Sequence, residues 1–261
     1  MGQKEDPEVE AALAALVSRL RPELVVASGD LTHRGRPEEH DRAHRFLVSL
    51  GPPVLAVPGN HDLPYTFPAR FTRPWAGFDR VWETTEPTHA SSTLHVVGLN
   101  SARPLRHQGG ALRAGELRGA VERLGAAADG ACRIVVLHHH LLGAPWRAAR
   151  KFPLSHRDHV LRTLASAGAE LILGGHIHQA TVAERREFQV VDDAAAHTTV
   201  LAIAPGFGRP RPNRTGEARG LQVHEIDDDT LTVSTYIWRD AGWALGAERR
   251  FPRGAGPLGA G

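Results

Sequence analysis

The sequence is poor in cysteine, lysine and long apolar runs. Cys132 is the sole cysteine among 261 residues, so neither an intrachain disulfide nor a zinc site built on several thiolates can form. No apolar stretch approaches the roughly 20 residues that span a bilayer. The opening "MGQKEDPEVE" has no hydrophobic leader core, and a cytoplasmic location is expected. Lysine occurs twice, as Lys4 and Lys151, and arginine carries most of the positive charge. A formal net charge of +2 gives no reason to expect a nucleic-acid or membrane surface. P-loop, G-x-S-x-G and cysteine–histidine signatures are missing, which leaves NTPase and serine or cysteine hydrolase chemistry without support.

Histidine, by contrast, is plentiful, with 16 residues. It is both a common transition-metal ligand and a proton carrier near neutral pH. Hydrophobic content of 41% and charged content of 23% suit a globular chain that buries a core. The length suits one large domain, expected over 1–245, with a Gly/Pro-rich disordered tail over 246–261.

Helix and strand patterns alternate along most of the chain. "DPEVEAALAALVSRL" carries Val9, Ala12, Leu13, Leu16 and Leu20 on one stripe, with Asp6 as N-cap and Pro7 at the first helical position. "ELVVAS", "PVLAV", "STLHVVGLN", "RIVVL" and "AELILGG" read as strands. Helices are expected at "RPEEHDRAHRFLVSL", "AGELRGAVERLGAAA" and "SHRDHVLRTLASAG", the last capped by Ser155 with Asp158 three residues on. Residues 64–90 read as an irregular, Pro-rich insertion with one short helix. Strands then follow one another at 187–193, 198–204, 220–226 and 230–238. This order predicts an α/β layered domain with parallel and antiparallel pairing.

Four strands end in similar punctuation. Asp30 follows a glycine in "VVASGDL", and Asn60, His61 and Asp62 follow one in "AVPGNHD". His138 directly follows the apolar run of "IVVLHHH", and His176 and His178 follow two glycines in "LILGGHIH". Ligand sites in open α/β sheets gather at carboxyl strand ends. Asp and Asn offer hard oxygen ligands, and imidazole suits Zn, Fe, Mn, Ni and Co. A mixed oxygen and nitrogen set without thiolate fits a hydrolytic metal centre. The two histidines of "HIH" share a face if the segment is extended; a tight turn instead directs them to two neighbouring ions.

These stretches resemble the calcineurin-like metallophosphoesterases, within them the bacterial cyclic-nucleotide-phosphodiesterase-like (class III) branch. The resemblance covers roughly residues 5–205. It implies a two-sheet mixed β-sandwich flanked by helices, with two divalent transition-metal ions (Mn, Fe, Zn or similar) between strand ends. It implies that Asp30 bridges the ions, that Asn60, His138 and His176 complete one shell, and that His178 serves the other. It further implies a phosphoesterase acting on small phosphodiesters, cyclic nucleotides among them, or on phosphomonoesters, through a metal-bound hydroxide. His61 would protonate the leaving oxygen.

The chain departs from the family in one respect: the first motif, Asp-x-His at the end of the first strand, is absent. The second ion is therefore expected to bind weakly. The strand at 24–27 is expected to have an unpaired edge beside an unfilled core face, and the natural protein to extend upstream of Met1. The competing reading is a non-catalytic scaffold of the same fold, or an inactive fragment. His139 either touches substrate phosphate or packs, and Asp62 either caps its turn or has a further role, which stays open. Arg34 and Asn100 are weaker candidates for the cleft. Trp75, Phe78 and Trp82 either wall a pocket or pack the insertion. His40, His44, His156 and His159 are expected on the surface.

Overall fold

The computed structural model describes residues 6–106, 108–142, 151–188, 198–210 and 217–253. The elements are α1 (Pro7–Leu20), β1 (Val25–Ala27), α2 (Pro37–Ser49), β2 (Val54–Ala56), α3 (Ala69–Thr72), α4 (Ala76–Trp82), β3 (Thr88–Ala90), β4 (Leu94–Leu99), α5 (Ala114–Gly125) and β5 (Cys132–Leu137). They continue with α6 (Arg157–Ser166), β6 (Leu171–Gly174), β7 (Thr181–Glu184), β8 (Val200–Ile203), β9 (Gly220–Ile226), β10 (Thr230–Arg239) and β11 (Gly242–Pro252).

The largest sheet has the order β3-β4-β5-β6-β8-β7, parallel through β4, β5, β6 and β8, with an antiparallel strand at each edge. Its inner strands are apolar on both faces, as burial from both sides requires. Alternate residues therefore enter two cores. Val97, Leu99, Val135, Leu137, Ile172 and Leu201 pack under α5 and α6. Val96, Ile134, Val136, Leu173 and Val200 face the second layer, which supplies Leu55 and Val57 from the β2 region, Leu231 and Val233 from β10, and Phe251 from β11. A third core joins α1, α2 and α4 to the β1–β2 pair. The result is a mixed α/β fold with a central mixed sheet and helices on the outside.

The second layer is split. β1 pairs in parallel with β2, and β9, β10 and β11 form a separate antiparallel sheet. Among the described residues β1 has no second neighbour, and neither has β9. Both strands border one cavity of about 390 Å³, whose apolar lining includes Leu16 and Leu20 of α1, Val26 of β1, Ala202 of β8, and Val223 and Ile226 of β9. This is the unpaired edge and unfilled face expected from the missing first motif.

Several sequence expectations need correction. The chain over 246–252 is not a disordered tail but the end of β11. That strand is antiparallel to β10, with Phe251 buried between the layers and Arg253 paired to Glu170 at 2.9 Å. Residues 254–261 lie outside the described residues. Ahead of the strand expected at 187–193 stand β7 at Thr181–Glu184 and a 3-10 turn at Arg185–Glu187; residues 189–193 of that expected strand lie outside the described residues. The insertion holds two short helices and β3 rather than one helix. α6 starts at Arg157, with His156 at its cap in a left-handed conformation; Ser155 Oγ is taken by Arg106 instead. Asp6 occupies the N-cap of α1 without capping it. Its carboxylate pairs with Arg219 at 2.8 Å and Arg209 at 3.3 Å. His40 is not on the surface: α4 covers it, with Phe78 edge-on 6.1 Å away. His156 and His159 are exposed, and His44 is half-buried against Trp82.

Candidate metal centre

The loops leaving β1, β2, β5 and β6 meet at one point. Gly29 makes the approach possible, because a Cβ there would stand 2.6 Å from His138 Nδ1 and 2.7 Å from the Gly59 nitrogen. Gly59 is as tightly placed, since its Cβ would fall 2.3 Å from both the nitrogen and Oδ1 of Asp30. Only glycine lets the two turns cross this closely. Asp30, His176 and His178 all have positive φ, 56°, 70° and 57°. Non-glycine residues held in the left-handed region concentrate at functional sites. The "HIH" segment is thus a tight turn, not an extended strand.

Asp30, His138 and His176 each offer a ligand atom, all within 4.8 Å of one another. His138 Nδ1–H donates to the Ser28 carbonyl at 2.7 Å. That bond orients the ring and leaves Nε2 facing Asp30 Oδ2 at 3.3 Å and His176 Nδ1 at 3.2 Å; burial opposes a charge on His138, yet the Asp30 carboxylate raises its proton affinity. Burial opposes ionisation of Asp30, yet His138, with His61 and His176, holds its carboxyl well below the usual range. Burial and then His138 and Lys151 depress His176, which stays a neutral imidazole. Asn60 is buried, and neither its Oδ1 nor its Nδ2 has a hydrogen-bond partner. His176 Nε2 is likewise buried and unpartnered. A carboxylate, two imidazoles and an unsatisfied amide oxygen are the donor set a divalent cation takes.

His178 is not part of that three-residue convergence; it is half-buried against Gly206 and lines the same cavity that Asp30, His138 and His176 border. His61 is half-buried at the edge of the centre. Its backbone N–H donates to Asp30 Oδ1 at 2.9 Å, and its Nδ1–H donates to the His33 carbonyl at 3.0 Å. The ring is thereby oriented with Nε2 as its remaining site for a proton. His139 is fully buried beneath Gly110, with Nδ1 bonded to Ser101 Oγ at 2.9 Å. Burial and then His138 push its proton affinity well down. Asn100 is buried, and its Oδ1 accepts the Ala102 N–H. Arg34 is exposed above Tyr65, while Phe78 is buried and Trp75 and Trp82 are half-buried.

Two participants complete the surroundings, Asp62, for which the sequence offered a turn-capping role, and Lys151, for which it offered none. Asp62 is buried and accepts from the N–H groups of Gly59, Leu31 and Thr32 and from the Thr32 hydroxyl. Lys151, one of the two lysines, is buried with its ammonium on the His176 carbonyl. No local pattern around Lys151 announces this, because its partner lies 25 residues away. Cys132 is buried and its thiol is pushed up to about 12 by burial, so it is chemically inert.

A model of the calcineurin-like phosphoesterases matches residues 3–180. The chain belongs to the calcineurin-like phosphoesterase family. It is therefore a hydrolase acting on phosphoric ester bonds. A probable cyclic nucleotide phosphodiesterase of Synechococcus is 30% identical over 227 residues, 85% of this chain and 84% of the relative. A cAMP/cGMP dual specificity phosphodiesterase of Mycobacterium tuberculosis is 29% identical over 226 residues, 83% and 67% of the two chains. Vacuolar protein sorting 29 of Cryptosporidium parvum shares the fold at a TM-score of 0.51 and 11% identity, over 97% of this chain and 92% of that one. Among the described residues, no helix of this phosphoesterase is long and apolar enough to cross a membrane.

Proposed function

We propose that the chain is a metal-dependent phosphodiesterase for small diesters, cyclic nucleotides among them. The observation that carries the reading is the buried convergence of Asp30, His138 and His176 beside an Asn60 amide with no partner. Those four residues would hold one divalent ion, of the Mn, Fe or Zn type. Asp30 and His178 would hold a second more weakly, because this chain offers it fewer ligands. Bound cations would supply Lewis-acid stabilisation of phosphoryl charge and a nucleophile at neutral pH. His61 would pass a proton from Nε2 to the departing oxygen, and its bond to the His33 carbonyl keeps the ring in place. Asp62 holds the loop that carries Asn60 and His61. The buried His139 supports His138 and His176 by packing and by its Ser101 bond, which favours the packing role over phosphate contact. The names of the relatives support the diester and cyclic-nucleotide assignment.

The test is metal stoichiometry, measured together with bis(p-nitrophenyl) phosphate turnover in added Mn²⁺. The expected result is about one tightly bound ion per chain and turnover that disappears with a chelator. Asp30→Asn should lose both metal and activity. A protein that binds metal at the same residues but hydrolyses no phosphoester would establish the scaffold reading. One that binds no metal and retains turnover would remove the metal from the mechanism.

A further inference from the structure

Nine large apolar side chains stand exposed among the described residues. Five of them, Tyr65, Phe67, Phe71, Leu105 and Phe152, lie on segments following the carboxyl ends of β2, β4 and β5, and β2 and β5 also send their loops to the candidate centre. Phe67 and Leu105 are 82% and 86% exposed. Scattered surface apolar residues need no explanation, but a group of them beside a site does.

Ring contacts lead outward from His61 by way of His33 and the adjacent Arg34 to Tyr65, and Phe67 and Phe71 form a pair on the same segment as Tyr65. His61 and His33 stack with centroids 5.9 Å apart and planes 14° from parallel. The next residue, Arg34, places its guanidinium 6.0 Å from the Tyr65 ring centre. Phe67 and Phe71 are neighbours at 6.3 Å. The segment that carries them is tied down: buried Arg70 donates to the Pro104 carbonyl at 2.8 Å and to the Pro64 carbonyl at 3.3 Å. The loop after β4 is held in turn by Arg106 on Ser155. These rings are presented to solvent by a fixed scaffold rather than by a free loop.

We propose that this rim is a nucleobase subsite, recognising the flat aromatic part of a phosphodiester whose phosphate lies at the Asp30 centre. The proposal rests on the phosphodiesterase reading and narrows its substrate class. A base has two π faces, and stacking on Tyr or Phe needs no particular sequence of donors and acceptors. Arg34 adds a cation that stacks on the same rings and can donate to the acceptor edge of a base. A diester of glycerol and ethanolamine has no ring to stack and gains nothing from this surface.

The experiment compares wild type, Tyr65→Ala/Phe67→Ala and, as a distant surface control, Leu245→Ala. Two readouts are taken. One is the ratio of kcat/KM for 3′,5′-cyclic AMP to that for glycerophosphoethanolamine in Mn²⁺. The other is binding of adenosine, which carries no phosphate, to the metal-free chain by ligand-detected NMR. The double variant should lower the ratio about 10- to 100-fold and abolish the adenosine signal, while Leu245→Ala behaves as wild type. Equal losses on both diesters with adenosine binding intact would overturn the subsite. A change in sedimentation mass with the ratio intact would overturn it too, by showing that the rim joins two copies. If the wild type hydrolyses neither diester, the phosphodiesterase reading falls, and adenosine binding still decides whether the rim takes a base.

Discussion

Asp62 Oδ1 accepts the backbone N–H of Thr32 at 2.9 Å, across 30 residues of sequence. With Oδ2 on the N–H groups of Leu31 and Gly59, one carboxylate locks the turn after β1 to the turn after β2. Asp30 sits on the first turn, and Asn60 and His61 on the second. The alignment of the proposed metal ligands and proton donor therefore depends on a residue that needs no contact with substrate.

Asp62→Asn tests that dependence. An amide would aim its NH₂ at backbone donors and leave N–H groups unsatisfied in a buried place. A loss of about 2–4 kcal/mol in urea unfolding is expected, with metal affinity falling alongside. Wild-type stability and metal binding in the variant would show that the turns hold themselves.

His61→Ala should leave metal content near wild type while kcat falls by roughly 10²–10⁴ on an alkyl diester. The loss should be much smaller on bis(p-nitrophenyl) phosphate, because p-nitrophenolate departs without a proton. Equal losses on the two substrates would assign His61 to positioning rather than proton transfer.

The cavity between β1 and β9 makes a prediction about stability. A chain extended ahead of Asp6 by a strand of about six apolar residues should fill the cavity and pair with both strands. α1 would then be the crossover of a parallel β-α-β unit ending in β1. Thermal unfolding should rise by roughly 5–10 °C, equivalent to a few kcal/mol at this size, and binding of an apolar fluorescent dye should fall. An unshifted transition with dye binding intact would mean the added strand goes elsewhere.

His224, on β9 and lining the same cavity, has its imidazole pushed down to about 4 by burial. The unfolded chain takes up a proton near pH 6.5 and the folded chain does not until about pH 4, so lowering the pH across that window favours unfolding. Urea midpoints measured from pH 7 to pH 4 should decline, and His224→Gln should flatten that decline. The same slope in both proteins would place the acid sensitivity in other groups.

The metal-site candidates were legible because their signals are local. An apolar run followed by glycine and then a ligand-type side chain marks a strand end within ten residues, and the fold brings such ends together. The inner strands were legible for the same reason, since burial on both faces leaves nearly continuous apolar sequence. β11 was not, because "GAERRFP" owes its strand to pairing with β10 and to the burial of a single Phe251. His40 was misread because its helix looks solvated on that side until α4 closes over it. His139 and Lys151 are buried through Gly110, Ser101 and His176, none of them a sequence neighbour.

By itself the sequence determined the fold class, the chemistry of the donors and their order along the chain, because side-chain type and short-range periodicity are properties of the chain alone. Only the tertiary structure decided which donors converge. Asp30, His138 and His176 meet, His178 packs against Gly206 outside that trio, and Asp62 binds backbone. Those outcomes depend on how closely separate strand ends can approach. That is set by packing and by the unsatisfied groups that burial leaves behind, which no local pattern records.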